Sequence, residues 1–498
     1  MDALLPENVF GPLLTAIRGS NAIPGGVAAV CDSREVTPGS IFAAIPGVSS
    51  DGSTFIPDAI AAGAAVIIHQ YDLPDYPENV TFFQVSDVRQ AYSLLIRRIC
   101  GDPDKKLRIY GITGTNGKTT SAYLLRHLLN CADVPCGLIS TVEYDDGKNI
   151  TPPTHTTPAP QTLFPLLEAM VKNSLRAAAM EFSSHALDQK RLHGITLRGA
   201  IFTNLTGDHL DYHRDMESYY QAKKTLFTDL LCHKGIAAIN IDTADGERLA
   251  GELAIERPDL QIPTFGKKAD AGWRISEAGS DLNGCRFVLS NAVQAFEVIF
   301  PLSGEYNISN LAGVLTLLLC DGISPESINQ ALNLPMSVPG RLEKLTAPDG
   351  ANFFVDYAHT DDALRNVLTT LRKCCSGKLI AVFGAGGNRD KSKRPRMGQV
   401  AAETADHLIV TSDNPRSERP EDIISDIVAG IPAGSSFETV VSREDAIIRA
   451  VNMAQKDDVV LIAGKGHENY QEINGVKIHF DDREILRKLF GYPDEKID

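Results

Sequence analysis

The sequence predicts an α/β protein of three domains, with a phosphate-binding parallel sheet of P-loop type in the middle and a Rossmann-like sheet towards the end. Three observations carry this. The chain has 498 residues, and at about 150 residues per domain that length suggests three. From Leu107 onwards apolar runs of strand length alternate with helical stretches, and the same texture restarts near Asn352, as βαβ units and parallel sheets require. A glycine-rich segment, Gly114 to Thr120, stands between a predicted strand and a predicted helix, where parallel sheets bind phosphate.

Each element follows from local pattern. Up to about Cys100, short apolar runs (VAAV, AAVIIH, VTFFQV) alternate with Gly, Pro and Asp punctuation, which predicts a small mixed domain over residues 1–104. The polar run Gly101 to Lys106 reads as a linker. A central domain over residues 105–338 follows, with strands at LRIYGIT, LRAAAMEF, GAIFTNL and GIAAINI and a helix from Thr119 towards Asn130. The Pro-containing run Met336 to Arg341 marks a second break. Residues 339–498 then predict strands at NFFVDYA, KLIAVFGA, HLIVTS and DVVLIAG, separated by helices.

Composition narrows the function. Hydrophobic residues make up 43% of the chain, so each domain can bury a core, and the formal net charge of −15 disfavours a protein that coats nucleic acid or an anionic membrane. Apolar runs such as Leu311 to Cys320 are shorter than the ~18 residues of a spanning helix. The opening MDALLPENVF carries acids where a secretory signal would place bases, and the nine cysteines are scattered with no CxxC pair. A cytoplasmic protein with reduced thiols is expected.

The strongest local signal is Gly114-Thr115-Asn116-Gly117-Lys118-Thr119-Thr120. Glycines let backbone N–H groups close around phosphate oxygens, Lys118 can neutralise outer phosphates, and the Thr119 hydroxyl can ligand Mg²⁺. The strict GxxxxGK[ST] spacing fails, because its first glycine falls on Ile112. Glu181 ends an apolar strand, where a buried carboxylate needs a cation such as Mg²⁺ or a salt bridge. His209 follows the GAIFTNL strand, at the edge where α/β sheets place ligands; metal or phosphate work competes there with an ordinary cap. Lys223 lies on the helix SYYQAKKTLF, where composition alone predicts a solvated lysine.

The short GTNGKTT loop resembles that of the Mur ligase superfamily, which includes folylpolyglutamate synthetases. Further segments resemble the same family in order: Asp32-Ser33-Arg34 with Pro38-Gly39, Phe42 and Gly47; Thr156-Thr157-Pro158; Met180 to His185; Gly207 to His213; Asn307 and Asn310; Gly340-Arg341 with Glu343; Asp356 to His359; Asp413-Asn414-Pro415-Arg416; and Gly464 to Glu468. The resemblance covers nearly the whole chain and is greatest to the members that add meso-diaminopimelate.

The resemblance implies a monomeric ATP-dependent amide ligase of cytoplasmic peptidoglycan precursor synthesis, which joins meso-diaminopimelate to the D-Glu γ-carboxylate of UDP-MurNAc-L-Ala-D-Glu through an acyl phosphate. It implies ATP binding by Gly114, Thr115, Asn116, Gly117, Lys118, Thr119 and Thr120, with Asn307, Arg341 and Asp356 on base and ribose. Lys118, Glu181, His209 and Lys223 become catalytic. Two Mg²⁺ ions are implied, held by Thr119, Glu181, His209 and Lys223, the last as a CO₂-derived carbamate; Lys224 is the adjacent competitor. The UDP-MurNAc-dipeptide falls to Cys31, Ser33, Val48, Ser49, Ser50, His155, Thr156, Thr157, Ser183, Gln189 and Arg191, with His155 standing where relatives often carry Asn. Diaminopimelate falls to Arg389, Asp413, Asn414, Pro415, Arg416, Gly464 and Glu468. No nucleic acid or membrane partner is implied. The alternatives are a folylpolyglutamate synthetase, against which the DSR start and the DNPR loop argue, and a nucleotide-binding scaffold without ligase activity, which the presence of Lys118, Glu181, His209 and Lys223 disfavours.

Overall fold

The computed structural model describes residues 4–47, 51–207 and 212–492. By contact the chain divides into two compact units, Met1–Arg274 with Leu311–Ala331, and Ile275–Asn310 with Leu332–Asp498.

The first unit holds two sheets. The smaller runs in the order Leu14–Arg18, Thr81–Val85, Val66–His69, Ile41–Ala43, Ala29–Val30. Only the first pairing is antiparallel. The helix Val88–Ile99 buries Val88, Ala91, Tyr92, Leu95 and Ile96, the i, i+3, i+4 stripe that seats an amphipathic helix on a sheet. The run Gly101 to Lys106 is packed against its neighbours at Asp102, Pro103 and Asp104. Pro103–Lys105 forms a 3₁₀ turn, Asp104 is buried, and its carboxylate accepts from Arg97 Nε (2.8 Å) and from the Thr196 amide (3.1 Å). A buried carboxylate is tolerated only with such partners.

The larger sheet runs Thr264–Gly266, Leu231–Asn240, Leu197–Phe202, Arg108–Thr113, Ala177–Glu181, Cys136–Ile139, then Tyr144–Asp145 and Ile150–Thr151. The first six are parallel and the last two return antiparallel. Ala177–Glu181 is buried at every residue, as a strand covered on both faces must be. From Arg108–Thr113 the chain first crosses to one side, through Cys136–Ile139 and back to Ala177–Glu181. It then passes to the other side at Leu197–Phe202. That reversal is a topological switch point, and the crevice at the carboxyl end of Arg108–Thr113 is where such sheets bind ligands. The expected strands are all present, within a few residues at their ends.

The second unit carries a six-stranded sheet in the order Glu343–Thr346, Asn352–Asp356, Val459–Ala463, Leu379–Phe383, His407–Thr411, Phe437–Val440, parallel except at the first pairing. The sequence reading of βαβ units omits two antiparallel hairpins here, Gly284–Ser290 with Ala295–Phe300 and Tyr470–Ile473 with Val476–His479. Among the described residues no helix is long and apolar enough to cross a membrane. All nine cysteines are free thiols.

Candidate active site

The glycine-rich segment leaves the strand Arg108–Thr113 and enters the helix Lys118–Cys131. Its shape is fixed from the neighbouring strand Leu197–Phe202. Thr115 N donates to Asn204 O (2.9 Å), Asn116 N to Asn204 Oδ1 (2.9 Å), and Thr203 Oγ1 to Asn116 O (2.6 Å). Gly114 has φ +145, and a Cβ there would stand 1.9 Å from Thr203 Oγ1, so only glycine fits.

Two lysines converge on this loop. Lys118 Nζ donates to the carbonyls of Gly114 (2.9 Å) and Thr115 (2.8 Å). Lys223 Nζ donates to the same Gly114 oxygen at 2.9 Å. The two ammonium nitrogens are therefore no further apart than twice that distance. Lys223 is 1% exposed and lies 4.4 Å from the centre of the Tyr219 ring, whose hydroxyl is 3.3 Å from Thr115 Oγ1. The expectation of a solvated lysine fails because Tyr219, Lys223, Leu226 and Phe227 form the buried stripe of the helix Met216–Asp229. Lys224 turns elsewhere, to Glu252 Oε2 (2.8 Å) and Glu256 Oε1 (2.6 Å).

Glu181 closes the other side of the loop. Fully buried, it accepts from Thr119 Oγ1 (3.2 Å), the Thr141 amide (2.9 Å) and Thr141 Oγ1 (3.2 Å). Sequence reasoning misses Thr141; the strand end at Ile139 is its only local signal. Thr141 Oγ1 and Thr156 Oγ1 stand 3.2 Å apart, and Thr157 Oγ1 donates to the Glu181 carbonyl at 2.8 Å. Ser183 N in turn donates to Thr157 Oγ1 at 2.9 Å. Among the described residues no cluster of three His, Cys, Asp or Glu side chains could hold a metal. The donors at the loop are hydroxyl and carboxylate oxygens, the set that suits Mg²⁺, which relies on few protein carboxylates and on substrate phosphates. His209 lies outside the described residues, as do Val48, Ser49 and Ser50.

A cavity of about 730 Å³ opens in the first unit, lined among others by Cys31, Ser33, Arg89, Gln161, Gln189 and Arg191. Four predicted residues thus share one cavity, while Arg89 and Gln161 join without having been singled out. Arg191 Nε donates to Gln189 Oε1 (2.9 Å) and Nη1 to Thr157 O (3.3 Å), which links the cavity to the Glu181 network. Burial pushes the Arg191 guanidinium below its usual value, because desolvation disfavours the charged form. Burial, and then the Arg191 charge, also lower His155. At the rim the hydrogen bonds of Arg34 hold the Asp32 carboxyl at about 2.

In the second unit Asn307 lies in the helix Glu305–Cys320 and Arg341 precedes the strand Glu343–Thr346, while Asp356, Gly464, Arg389 and Asp413 stand at or beyond the carboxyl ends of four adjacent parallel strands. Asp356 ends one; its carboxylate accepts from the amides of Leu342 (2.7 Å) and Ala358 (2.8 Å), and burial raises it above the usual carboxylate range. Arg341 stacks on Tyr357 at 4.9 Å. Asn307 Nδ2 donates to Ser303 O (2.8 Å) and its Oδ1 accepts from Asn310 Nδ2 (3.0 Å). The buried Asn414 is the hub of the loop Asp413 to Arg416: Nδ2 donates to Glu468 Oε2 (2.8 Å), and Oδ1 accepts from the Glu472 amide (3.0 Å) and Lys465 Nζ (3.3 Å). Lys465, fully buried, also pairs with Glu468 at 3.1 Å. Gly464 has φ +115, and a Cβ there would meet Asp413 Oδ2 at 2.4 Å. The Pro415 carbonyl accepts from the Glu418 amide at 3.0 Å, and Arg389 is exposed beyond the strand Leu379–Phe383.

Three segments match family descriptions: residues 29–98 the Mur ligase family catalytic domain, 112–318 the Mur ligase middle domain, and 340–466 the Mur ligase glutamate ligase domain. The chain belongs to the Mur ligase family. Its relatives include the UDP-N-acetylmuramoyl-L-alanyl-D-glutamate–2,6-diaminopimelate ligases of Parabacteroides distasonis, 43% identical over 92% of this chain and 93% of that one, and of Chlorobaculum tepidum, 42% identical over 95% and 94%. A solved structure of a ligase of the same name is 35% identical with a TM-score of 0.73, covering 98% and 99% of the two chains. In fold alone the chain is also similar to the Mycobacterium tuberculosis folylpolyglutamate synthase complexed with ADP and AMPPCP, at 17% identity, TM-score 0.62 and coverage of 81% and 95%.

Proposed function

We propose that this Mur ligase is an ATP-dependent amide ligase that adds meso-diaminopimelate to the D-Glu γ-carboxylate of UDP-MurNAc-L-Ala-D-Glu, acting as a cytoplasmic monomer in peptidoglycan precursor synthesis. The observation that carries the reading is the full-length similarity, at about 40% identity, to ligases named for that reaction. The site geometry is consistent with it.

In this reading residues 1–104 hold the uridine nucleotide, residues 105–338 bind ATP, and residues 339–498 bring the amino acid. The loop Gly114 to Thr120 cradles the phosphates, with Asn307, Arg341 and Asp356 on base and ribose. Thr119, Glu181, His209 and a carbamate on Lys223 would hold Mg²⁺, two ions in all, which when bound neutralise charge on the transferring phosphoryl group. Lys118 offers the outer phosphates a cation already fixed by two carbonyls. The convergence of Lys118 and Lys223 on one carbonyl oxygen crowds positive charge, which a bound phosphate or a carbamate would relieve.

The γ-phosphoryl group passes from ATP to the D-Glu carboxylate, giving ADP and an acyl phosphate. The amine of diaminopimelate attacks the acyl carbon, the amide C–N bond forms as the C–O bond to phosphate breaks, and the amine loses a proton. Arg191, Gln189, Ser183, Thr156 and Thr157 position the dipeptide arm, with the cavity at Cys31 and Ser33 taking the nucleotide end. Arg416 takes the distal carboxylate of diaminopimelate and Glu468 its ammonium, with Arg389, Asp413, Asn414, Pro415 and Gly464 shaping the pocket. The test is phosphate release from ATP with each substrate omitted in turn. Release is expected only with both UDP-MurNAc-dipeptide and diaminopimelate present; release with lysine or glutamate in equal measure overturns the reading.

A further inference from the structure

Arg416 is held at both its backbone and its side chain by one short segment. Its φ is +53, a region uncommon outside glycine and sustained only by surrounding structure. Two hydrogen bonds supply that support. Arg416 N donates to Glu472 O (3.0 Å), and Asn474 N donates to Arg416 O (2.7 Å). The guanidinium is fixed as well: Nη1 donates to Gly387 O at 2.7 Å, and Nε lies 3.3 Å from Glu472 Oε2.

A guanidinium has five N–H donors in a planar fork. The Nε edge faces Glu472 and one Nη1 hydrogen goes to Gly387. Among the described residues the Nη2 donors have no hydrogen-bond partner, which leaves them to an incoming carboxylate. Glu472 also donates its amide to Asn414 Oδ1 (3.0 Å), whose Nδ2 reaches Glu468, so the same residue is tied to the pocket on two sides. Lys477, opposite Glu472 across the hairpin, sits over the Tyr470 ring at 4.1 Å and leaves the Glu472 carboxylate to Arg416.

We infer that Glu472 is a positioning residue for amino-acid selection: it fixes the Arg416 guanidinium before substrate arrives, with the outer edge turned to the distal carboxylate. The inference rests on the reading of Arg416 given above. Its physical content is preorganisation. A long side chain fixed in advance loses less freedom on binding, and the gain appears in affinity. Glu472 is itself an anion, yet the guanidinium stands between it and the ligand carboxylate, and both Glu472 and Arg416 are about a quarter exposed (25% and 24%), so solvent screens the repulsion.

The experiment measures kcat and KM for meso-diaminopimelate and for lysine in wild type, Glu472→Ala, Glu472→Gln and Arg416→Ala. Glu472→Ala should raise the KM for diaminopimelate about tenfold, with kcat within about twofold and the kcat/KM for lysine unchanged. Glu472→Gln keeps an acceptor for Nε and should recover most of the wild-type KM. Added to Arg416→Ala, the Glu472 substitution should do nothing more, because its effect runs through the arginine. A diaminopimelate KM in Glu472→Ala that is unchanged or lowered overturns the inference, and so does an equal loss for lysine, which would mark damage to the hairpin. If Arg416→Ala abolishes the preference over lysine while Glu472→Ala keeps it whole, the inference alone falls. If Arg416→Ala leaves the preference intact, the reading of Arg416 falls and takes the inference with it.

Discussion

Lys118 and Lys223 both direct an ammonium group at the carbonyl of Gly114, each at 2.9 Å, and the consequences of removing either differ. Lys118→Ala takes away the cation that the proposed function sets against the phosphates while leaving the core untouched. Turnover should fall about 10²–10³-fold, as for loss of one preorganised charge-stabilising donor, with the melting temperature little changed. Phosphate release at the wild-type rate would remove Lys118 from the reaction. Lys223→Ala should be nearly inactive, and formate or acetate should restore part of the rate in the presence of Mg²⁺ by supplying the anionic oxygen that a carbamate would. Full activity without added carboxylate would leave the buried lysine a structural role only. Its burial runs against the solvated lysine that composition predicts and comes from its place on the same helical stripe as Tyr219, Leu226 and Phe227; its chemistry is not legible either, because an amine carries no mark of carboxylation. Thr141 is a similar case. Beyond the strand end at Ile139 nothing around it marks a threonine that gives Glu181 both its amide and its hydroxyl, because that contact comes from strand order.

The long parallel strands are legible because they are continuous apolar runs buried on both faces, as in Ala177–Glu181 and Val459–Ala463. The hairpins are harder, since short strands with exposed faces carry little apolar pattern. The turn at Asn474-Gly475, with both residues left-handed (φ 50 and 78), nonetheless has the Asn-Gly signature of a two-residue hairpin. It is the hairpin that delivers Glu472 to Arg416. The phosphate loop depends on the next strand in the same way. Gly114→Ala would place a methyl group 1.9 Å from Thr203 Oγ1 at φ +145, so the loop must move off the strand Leu197–Phe202 or unfold locally. A loss of about 1–3 kcal/mol in stability is expected, with ATP-dependent turnover falling further than the stability does. Chemical denaturation and a rate measurement on the same preparation check this. Wild-type values for both would mean that the close approach to Thr203 does not constrain the loop.

At the scale of the molecule, the motifs are legible one by one but not the company they keep. Within each unit it is sheet topology that brings Cys31 to Arg191, or Asp356, Asp413 and Gly464 to one edge, and local periodicity says nothing of strand order. Charge is the one property the whole chain shows at once. With 63 acids against 48 bases, the folded state must place carboxylates beside cations, and several are held far below their usual range. Hydrogen bonds from Arg394 hold Glu418 at about 2, against 4.5 for an unperturbed glutamate, and Arg394 itself is fully buried between Glu418 and Asp426. Because the folded value is depressed, this group contributes stability that is present in full above pH 4.5 and is lost as pH falls towards 2. The expected outcome is a melting temperature that drops steeply between pH 5 and pH 2. In Glu418→Gln the titrating group is gone, so the variant should melt below wild type at pH 6, and the two curves should converge as pH approaches 2. Parallel curves, with a constant offset across the range, would show that Glu418 contributes packing and not a charge coupled to folding.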